Sequence, residues 1–565
     1  MADKALTVGG YLAARLSENG VGHYFTVPGD YNLVLLDEFL KHDGWEMISC
    51  CNELNAGYAA DGYARATGGL SAAVVTYSVG GLSLINAVAG AYAEDLPMVA
   101  ISGGPNSNSA AEAELLHHSI GHLDYTYVRE MFSRVTAKSV IVHDPEAAAR
   151  QIDDAIATAC RTRKPVYLEI ACNIASCSIT AANPRQFQVN RASDPVSLAA
   201  AVDAVAALLN SASSPVLVAG SKLRSHGAEA AFAGLADSCG YGVASMPNAK
   251  SFFDESHPSY MGIHWGDAGT GGSTGAVLES DMVLLAGCIF TDYTTTGHTI
   301  RIDPDKRIEI HADGVVTPDQ VYHGIQLSDF LEALAIRLNP NEASLVAWRN
   351  RHDPAPDHGM DEPDARLTTR QVFSRIQKLL DERSALIAET GDSWFNGMQL
   401  DMPSGSRFEI QMQYGSIGWS VGATLGYAIG APQRRVIACI GDGSFQLTAQ
   451  ELSTMIRYNA TPLIFLMNNR GYTIEVEIHD GPYNNIANWN YAELMGVLGG
   501  EQGGGRGFRA GTGAELEAAI AEAVAHDGPC LIEVLIDRDD CNPSLIGWGT
   551  QVAKNNGRPP RQVGC

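Results

Sequence analysis

Two segments at opposite ends of the 565-residue chain follow one plan. The first runs through Tyr58-Ala-Ala-Asp-Gly-Tyr-Ala-Arg-Ala-Thr-Gly68 and the strand-like Ala72–Tyr77 to Gly80-Gly81. A small-residue helix and the run Leu96–Ser102 follow. The second runs through Val421-Gly-Ala-Thr-Leu-Gly-Tyr-Ala-Ile-Gly-Ala-Pro432 and Arg435–Ile440 to Gly441-Asp-Gly443, then an expected helix over Gln446–Tyr458 and the run Pro462–Met467. Each closes on a proline-led strand, Pro165–Ala171 and Pro529–Leu535. Short, near-continuous apolar runs alternating with helices indicate parallel strands covered on both faces. Unrelated α/β units would share that periodicity but not the Gly-Tyr-Ala step ahead of each strand. Between the two, Pro215–Ser221 and Asp281–Gly287 suggest a third unit. The expected fold class is therefore α/β, with three doubly wound parallel-sheet domains, the first and third related. Segments rich in Pro, Asp and Asn at Thr180–Pro195 and Asp353–Asp364 read as linkers, giving domains at 1–188, 189–350 and 351–565.

Composition narrows the function. A net charge of −26 repels phosphate backbones, so nucleic acid is not an expected partner. Ser71–Ala93 is uncharged and long enough to span a bilayer. It splits, however, into a β-branched run, a glycine turn and a small-residue helix, so a buried strand and helix are expected and no membrane partner. The 11 cysteines show neither zinc nor disulfide spacing, and the N-terminus lacks the apolar core of a signal peptide. A soluble cytoplasmic protein with reduced thiols is expected.

The most informative stretch is Val436-Ile-Ala-Cys-Ile-Gly-Asp-Gly-Ser-Phe445, followed after 24 residues (Ser444 to Met467) by Asn468-Asn469. A strand that ends in a glycine turn and opens a helix aims backbone N–H groups at an anion, and a diphosphate fits there. Gly441 and Gly443 admit close approach, and Ser444 caps the helix or bonds a phosphate oxygen. With so little positive charge nearby, the diphosphate needs a cation. Asp442 and the Asn469 amide offer the hard oxygens that Mg²⁺ prefers, with a carbonyl of Gly471 as a third candidate. Gly-Asp-Gly alone is a weak signal; joined to Asn-Asn after the next strand it is specific.

This motif, with Gly441-Asp-Gly-Ser-Phe-Gln-Leu-Thr-Ala-Gln-Glu451, Asn468-Asn-Arg-Gly-Tyr-Thr-Ile-Glu475 and Ile478-His-Asp-Gly-Pro-Tyr-Asn484, resembles the thiamine-diphosphate-dependent enzymes, and among them the pyruvate decarboxylases, closely in their bacterial form. The resemblance covers essentially the whole chain. It implies thiamine diphosphate and Mg²⁺ as cofactors and non-oxidative decarboxylation of a 2-oxo acid, pyruvate to acetaldehyde and CO₂, through an ylide and an enamine. It also implies that the first domain binds the pyrimidine and the third the diphosphate, across subunits, in a dimer or homotetramer.

The same resemblance assigns residues. Glu53 matches the carboxyl group that activates the pyrimidine; a solvated helix acid is its bland alternative. Asp30, His117 and His118 match proton-relay residues, and Glu475 the carboxyl beside the substrate carboxylate. Thr390 lies beside the cofactor, Gly415 accepts from the aminopyrimidine through its carbonyl, and Ile417 wedges under the bent cofactor. Ser416 stands where a histidine is expected in the bacterial relatives, leaving its role open. A zinc site at His117, His118 and His122 is disfavoured, because no cysteine or acid lies at a matching spacing. The resemblance also places Trp394, Tyr293, Ile474 and Ile478 around the pocket, and their bulk favours pyruvate over indolepyruvate or benzoylformate; an indolepyruvate/phenylpyruvate-type decarboxylase is one alternative. An acetolactate-forming carboligase is the other alternative; its relatives usually carry FAD in the central domain, where no GxGxxG follows a strand.

Overall fold

The computed structural model describes residues 6–179, 192–350 and 364–559. The boundary at 188/189 and nearly all of the two expected linkers lie outside the described residues.

Three sheets form. The first contains β1 (His23–Thr26), β2 (Glu46–Ser49), β3 (Ser71–Val75), β4 (Met98–Gly104), β5 (Lys138–Val142) and β6 (Val166–Ala171), in the order β2-β1-β3-β4-β6-β5, all parallel. The second contains β7 (Pro215–Ala219), β8 (Gly242–Ser245), β9 (Tyr260–Ile263), β10 (Met282–Ala286), β11 (Arg307–Ile310), β12 (Gly314–Val316) and β13 (Val321–His323). The third contains β14 (Ser384–Ala388), β15 (Arg407–Glu409), β16 (Arg435–Gly441), β17 (Leu463–Asn468), β18 (Arg506–Ala510) and β19 (Cys530–Leu535), ordered β15-β14-β16-β17-β19-β18 and again all parallel. Counted from its own first strand, the third sheet repeats the order of the first. The duplication is one of topology as well as of sequence.

The central sheet departs from the all-parallel expectation at one edge, where β11, β12 and β13 pair antiparallel. The connections between them are too short for a crossover helix, so the chain turns back on itself. Two local expectations also change. Gly80 and Gly81 lie not in a turn but in the first turn of the Val79–Ala93 helix; the turn is Thr76-Tyr77-Ser78, with Ser78 at φ +53°. The helix expected over 446–458 is broken into Asp442–Gln446, a 3-10 turn Ala449–Glu451, and Leu452–Arg457. The buried Thr448 interrupts it, its hydroxyl donating to the Gly418 carbonyl at 2.7 Å and its own carbonyl accepting from Asn55 Nδ2. Tertiary hydrogen bonds there outcompete the helical ladder. No helix among the described residues is long and apolar enough to cross a membrane.

The duplicated helices Glu53–Thr67 and Trp419–Gly430 pack directly on each other and share one apolar core. Their Gly-Tyr-Ala steps explain how. A Cβ on Gly62 would stand 2.1 Å from the Ala423 carbonyl oxygen, and one on Gly426 1.7 Å from that of Ala59. Each glycine meets the residue three positions before the other, so the crossing has a local twofold. We predict that Gly426→Ala costs about 3 kcal/mol of stability, since the opposing atom is backbone and cannot yield; the denaturant midpoint checks this.

The buried Glu169 on β6 accepts from the Tyr167 hydroxyl at 2.9 Å, and burial pushes its carboxyl up to about 7. A folded-state value above the unfolded one adds stability below the unfolded pKa, which is lost as pH rises through about 7. Glu169→Gln is therefore expected to flatten the fall in stability between about pH 4.5 and 7, at most about 1.4 kcal/mol per pH unit, and to change little above about 7. Melting curves between about pH 4.5 and 8 test it.

Candidate active site

In the third domain, β16 and β17 deliver their C-terminal ends side by side, where an open α/β sheet places its ligand crevice. Asp442 directly follows β16 and is fully buried. Its Oδ1 accepts from Gly443 N at 2.8 Å and its Oδ2 from Arg470 N at 2.6 Å. Burial nevertheless pushes the carboxyl up to about 6, with backbone N–H groups only partly countering it. Asn469 follows β17. Its Nδ2 donates to the Thr473 hydroxyl, while its buried Oδ1 has no hydrogen-bond partner among the described residues. A buried carboxylate beside an orphaned amide oxygen is a donor set that a hard cation satisfies. Arg470, between Asn469 and Gly471, holds φ +68°, an uncommon backbone state that shapes the turn.

A cavity of about 430 Å³ opens against this turn. It is lined by seven of the residues expected from sequence: Thr390, Ile417, Gly443, Ser444, Asn469, Gly471 and Glu475. A side chain on Gly443 would meet the Tyr472 ring at 2.4 Å, whereas one on Gly441 would enter open space. The helix that starts at Asp442 has only five residues, so free N–H groups matter more there than an accumulated helix dipole. Gly415 is not among the lining residues; at φ +67° it heads the loop that carries Ile417. Ile474 lines the cavity. Trp394 does not: its ring is fully buried in the domain core, edge-on to Tyr293 at 6.2 Å.

The first domain gathers a separate group. His117 Nε2 lies 2.8 Å from Asp30 Oδ2, and His118 Nε2 lies 3.7 Å from Asp30 Oδ1. The His117 ring stacks on Tyr31 at 4.9 Å, and His118 takes a left-handed backbone at φ +60°. The acid that sequence spacing does not supply for these histidines thus comes from the loop after β1. Glu53 is the first residue of its helix, behind the Asn52 cap, with Oε1 3.4 Å from where a Gly80 Cβ would stand. A Cβ at position 80 would press on Thr76 and Val75 at 3.2 Å each, which explains a glycine there better than a turn does. Neither Glu53, Asp30, His117 nor His118 lines the third-domain cavity of the same chain.

Two buried acids, Glu389 and Glu451, and the half-buried Asp392 carry no assignment from sequence. Glu389 accepts from Thr390 N at 2.8 Å, from Gly418 N and Ser420 N at 3.1 Å each, and from the Ser420 hydroxyl at 2.6 Å, tying together the loops that carry Thr390 and Ile417. Asp392 lines the cavity and is pushed up to about 7 by burial. Both sit in Glu389-Thr-Gly-Asp392 at the end of a strand, which is the available signal. Glu451 accepts from Asn55 Nδ2 at 2.7 Å and Cys51 N at 3.3 Å, bracketing Glu53.

Comparison with known proteins agrees with this geometry. The thiamine pyrophosphate enzyme N-terminal TPP binding domain matches residues 6–127, the central domain residues 202–328, and the C-terminal TPP binding domain residues 390–534. A probable pyruvate decarboxylase of Schizosaccharomyces pombe is 47% identical over 98% of this chain and 97% of its own length. A second from that yeast is 45% identical over 99% of both, and pyruvate decarboxylase 3 of Arabidopsis thaliana is 47% identical over 99% of this chain and 95% of its own. The chain belongs to the pyruvate decarboxylase family of thiamine pyrophosphate enzymes.

Proposed function

We propose that this chain decarboxylates pyruvate non-oxidatively to acetaldehyde and CO₂, using thiamine diphosphate and Mg²⁺. The observation that carries the reading is the third-domain cavity, lined by seven expected residues, among them Asn469, whose buried Oδ1 has no partner among the described residues, with the buried Asp442 carboxylate lying behind its Gly441 and Gly443 wall. Loss of CO₂ from a 2-oxo acid leaves charge on a carbonyl carbon, and the thiazolium ring of bound thiamine diphosphate supplies the electron sink. Asp442, Asn469 Oδ1 and the Gly471 carbonyl hold Mg²⁺. Gly443 and Ser444 bind the diphosphate, while Thr390, the Gly415 carbonyl and Ile417 hold the rest of the cofactor. Glu53 exchanges a proton with the pyrimidine. Asp30, His117 and His118 hold and pass the proton that the aldehyde carbon receives, with the 2.8 Å contact between Asp30 and His117 as the relay step. Glu475 faces the substrate carboxylate.

The domains at 1–188, 189–350 and 351–565 then bind the pyrimidine, join the halves, and bind the diphosphate with Mg²⁺. Because one chain keeps Glu53 and the relay apart from its own cavity, we place each site between the first domain of one subunit and the third domain of another, in a dimer or homotetramer. Leu115, Ile120 and Leu123, flanking the two histidines, are 63%, 53% and 54% exposed in the single chain, which supports burial by a second subunit. The irregular spacing of the cysteines in the sequence supports a reducing, cytoplasmic setting. Cofactor-stripped protein is expected to release acetaldehyde from pyruvate only when thiamine diphosphate and Mg²⁺ are both restored, and to turn over indolepyruvate and phenylpyruvate poorly. Acetolactate as the main product, or a yellow flavoprotein, would contradict the reading.

A further inference from the structure

Ser416 is held by a part of the molecule that sequence does not suggest. Its hydroxyl lies 2.6 Å from the Tyr58 hydroxyl and accepts from Asn86 Nδ2 at 3.3 Å. Asn86 Nδ2 also donates to the Tyr58 oxygen at 3.1 Å, and Asn86 Oδ1 accepts from the Tyr414 hydroxyl at 2.9 Å. Tyr58 and Asn86 stand on the first-domain helices Glu53–Thr67 and Val79–Ala93; Tyr414 and Ser416 belong to the third domain. Four side chains from two domains therefore close one polar cluster.

The cluster matters because of what Ser416 separates. On one side is Gly415, on the other Ile417, which lines the cavity. Gly415 at φ +67° and Gly418 at φ +86° place a freely hinged residue at each end of this short loop. Its backbone therefore does little to fix its own position. The Gly418 end is anchored by Glu389, through Gly418 N and Ser420. The Gly415 end is anchored by the Ser416 amide, which donates to Gln411 Oε1 at 3.0 Å, and by the Ser416 hydroxyl.

We propose that Ser416 is a positioning residue whose hydroxyl, held by Tyr58 and Asn86, fixes the Gly415 carbonyl and the Ile417 side chain for the cofactor. The inference rests on the cofactor site proposed above. The first domain thereby serves two sites at once. Glu53 completes a site shared with another subunit, while Tyr58, five residues along the same helix, sets the cofactor loop of its own chain.

The test compares holoenzyme carrying Tyr58→Phe, Ser416→Ala, both together, and Ser416→Thr, which keeps the hydroxyl. The Kd for thiamine diphosphate is read from tryptophan quenching at fixed Mg²⁺, alongside kcat, KM for pyruvate and Tm. Each single variant should weaken cofactor binding about tenfold, the scale of one lost hydrogen bond. KM and Tm should stay near wild type, the double variant should be no worse than either single, and Ser416→Thr should recover the affinity. Additive losses, or a fall in Tm with unchanged cofactor affinity, would overturn the positioning role. Wild-type protein that fails to bind thiamine diphosphate would instead overturn the cofactor reading on which it rests.

Discussion

Glu53→Gln is expected to bind thiamine diphosphate with near-normal affinity and to lose about 10³-fold in kcat, the scale of a lost proton-transfer group. Glutamine keeps the volume and reach of glutamate, so the helix that begins at this residue, its Asn52 cap and the packing against Gly80 are preserved. What disappears is the ability to give and take a proton. The surroundings make that ability specific: Glu451 fixes Cys51 and Asn55 on either side, so the carboxyl group is delivered by a rigid frame rather than by a flexible arm. Cofactor titration by fluorescence and steady-state rates on the same sample separate binding from turnover. Loss of both together would point to a folding defect, and unchanged turnover would remove the proposed activation.

Asp442→Asn should abolish activity by a different route, weakening Mg²⁺-dependent cofactor binding about 10²-fold or more while leaving the fold intact. The change is isosteric, and the retained carbonyl oxygen still accepts from one of the two backbone N–H groups that Asp442 now binds. It removes the only charge that the buried donor set offers a cation. The same burial predicts a pH dependence. Without metal, the carboxyl is pushed up to about 6, so below that pH Mg²⁺ must displace a proton in order to bind. Apparent Mg²⁺ affinity should therefore fall as pH drops through about 6 and level off above it. Calorimetric titrations at pH 5.5 and 7.5 read the difference directly.

Much of the fold is legible in the sequence because the constraints are local and repeated. Glycines 62 and 426 recur at matching places since each must pass a carbonyl of the opposite helix, and that requirement leaves a mark in both halves. The turn proposed to hold Mg²⁺ is legible for a similar reason: hard-oxygen chemistry limits which residues can follow β16 and β17. Contacts between distant segments are not legible. Asp30 and His117 are 87 residues apart; the family resemblance groups them as a relay, but their contact itself appears only in the folded first domain. Thr448 breaks a helix through bonds to Gly418 and Asn55 that no local propensity encodes. In sequence Ser416 is an unexplained departure, because its partners Tyr58 and Asn86 lie in another domain. The family resemblance makes Trp394 a pocket wall, whereas in the single chain its ring is buried in the core of the third domain.

The central claim, that Glu53 of one subunit and Asp442 of another complete one site, has a direct test. Chains carrying Glu53→Gln and chains carrying Asp442→Asn are co-expressed with different affinity tags, and assemblies holding both are purified. Each parent alone should be inactive. In a mixed dimer, one site collects both defects and the other collects neither, so activity should return to about half the wild-type value per site. Mixed assemblies as inactive as their parents would contradict a shared site and place Glu53 and Asp442 in the same chain's chemistry.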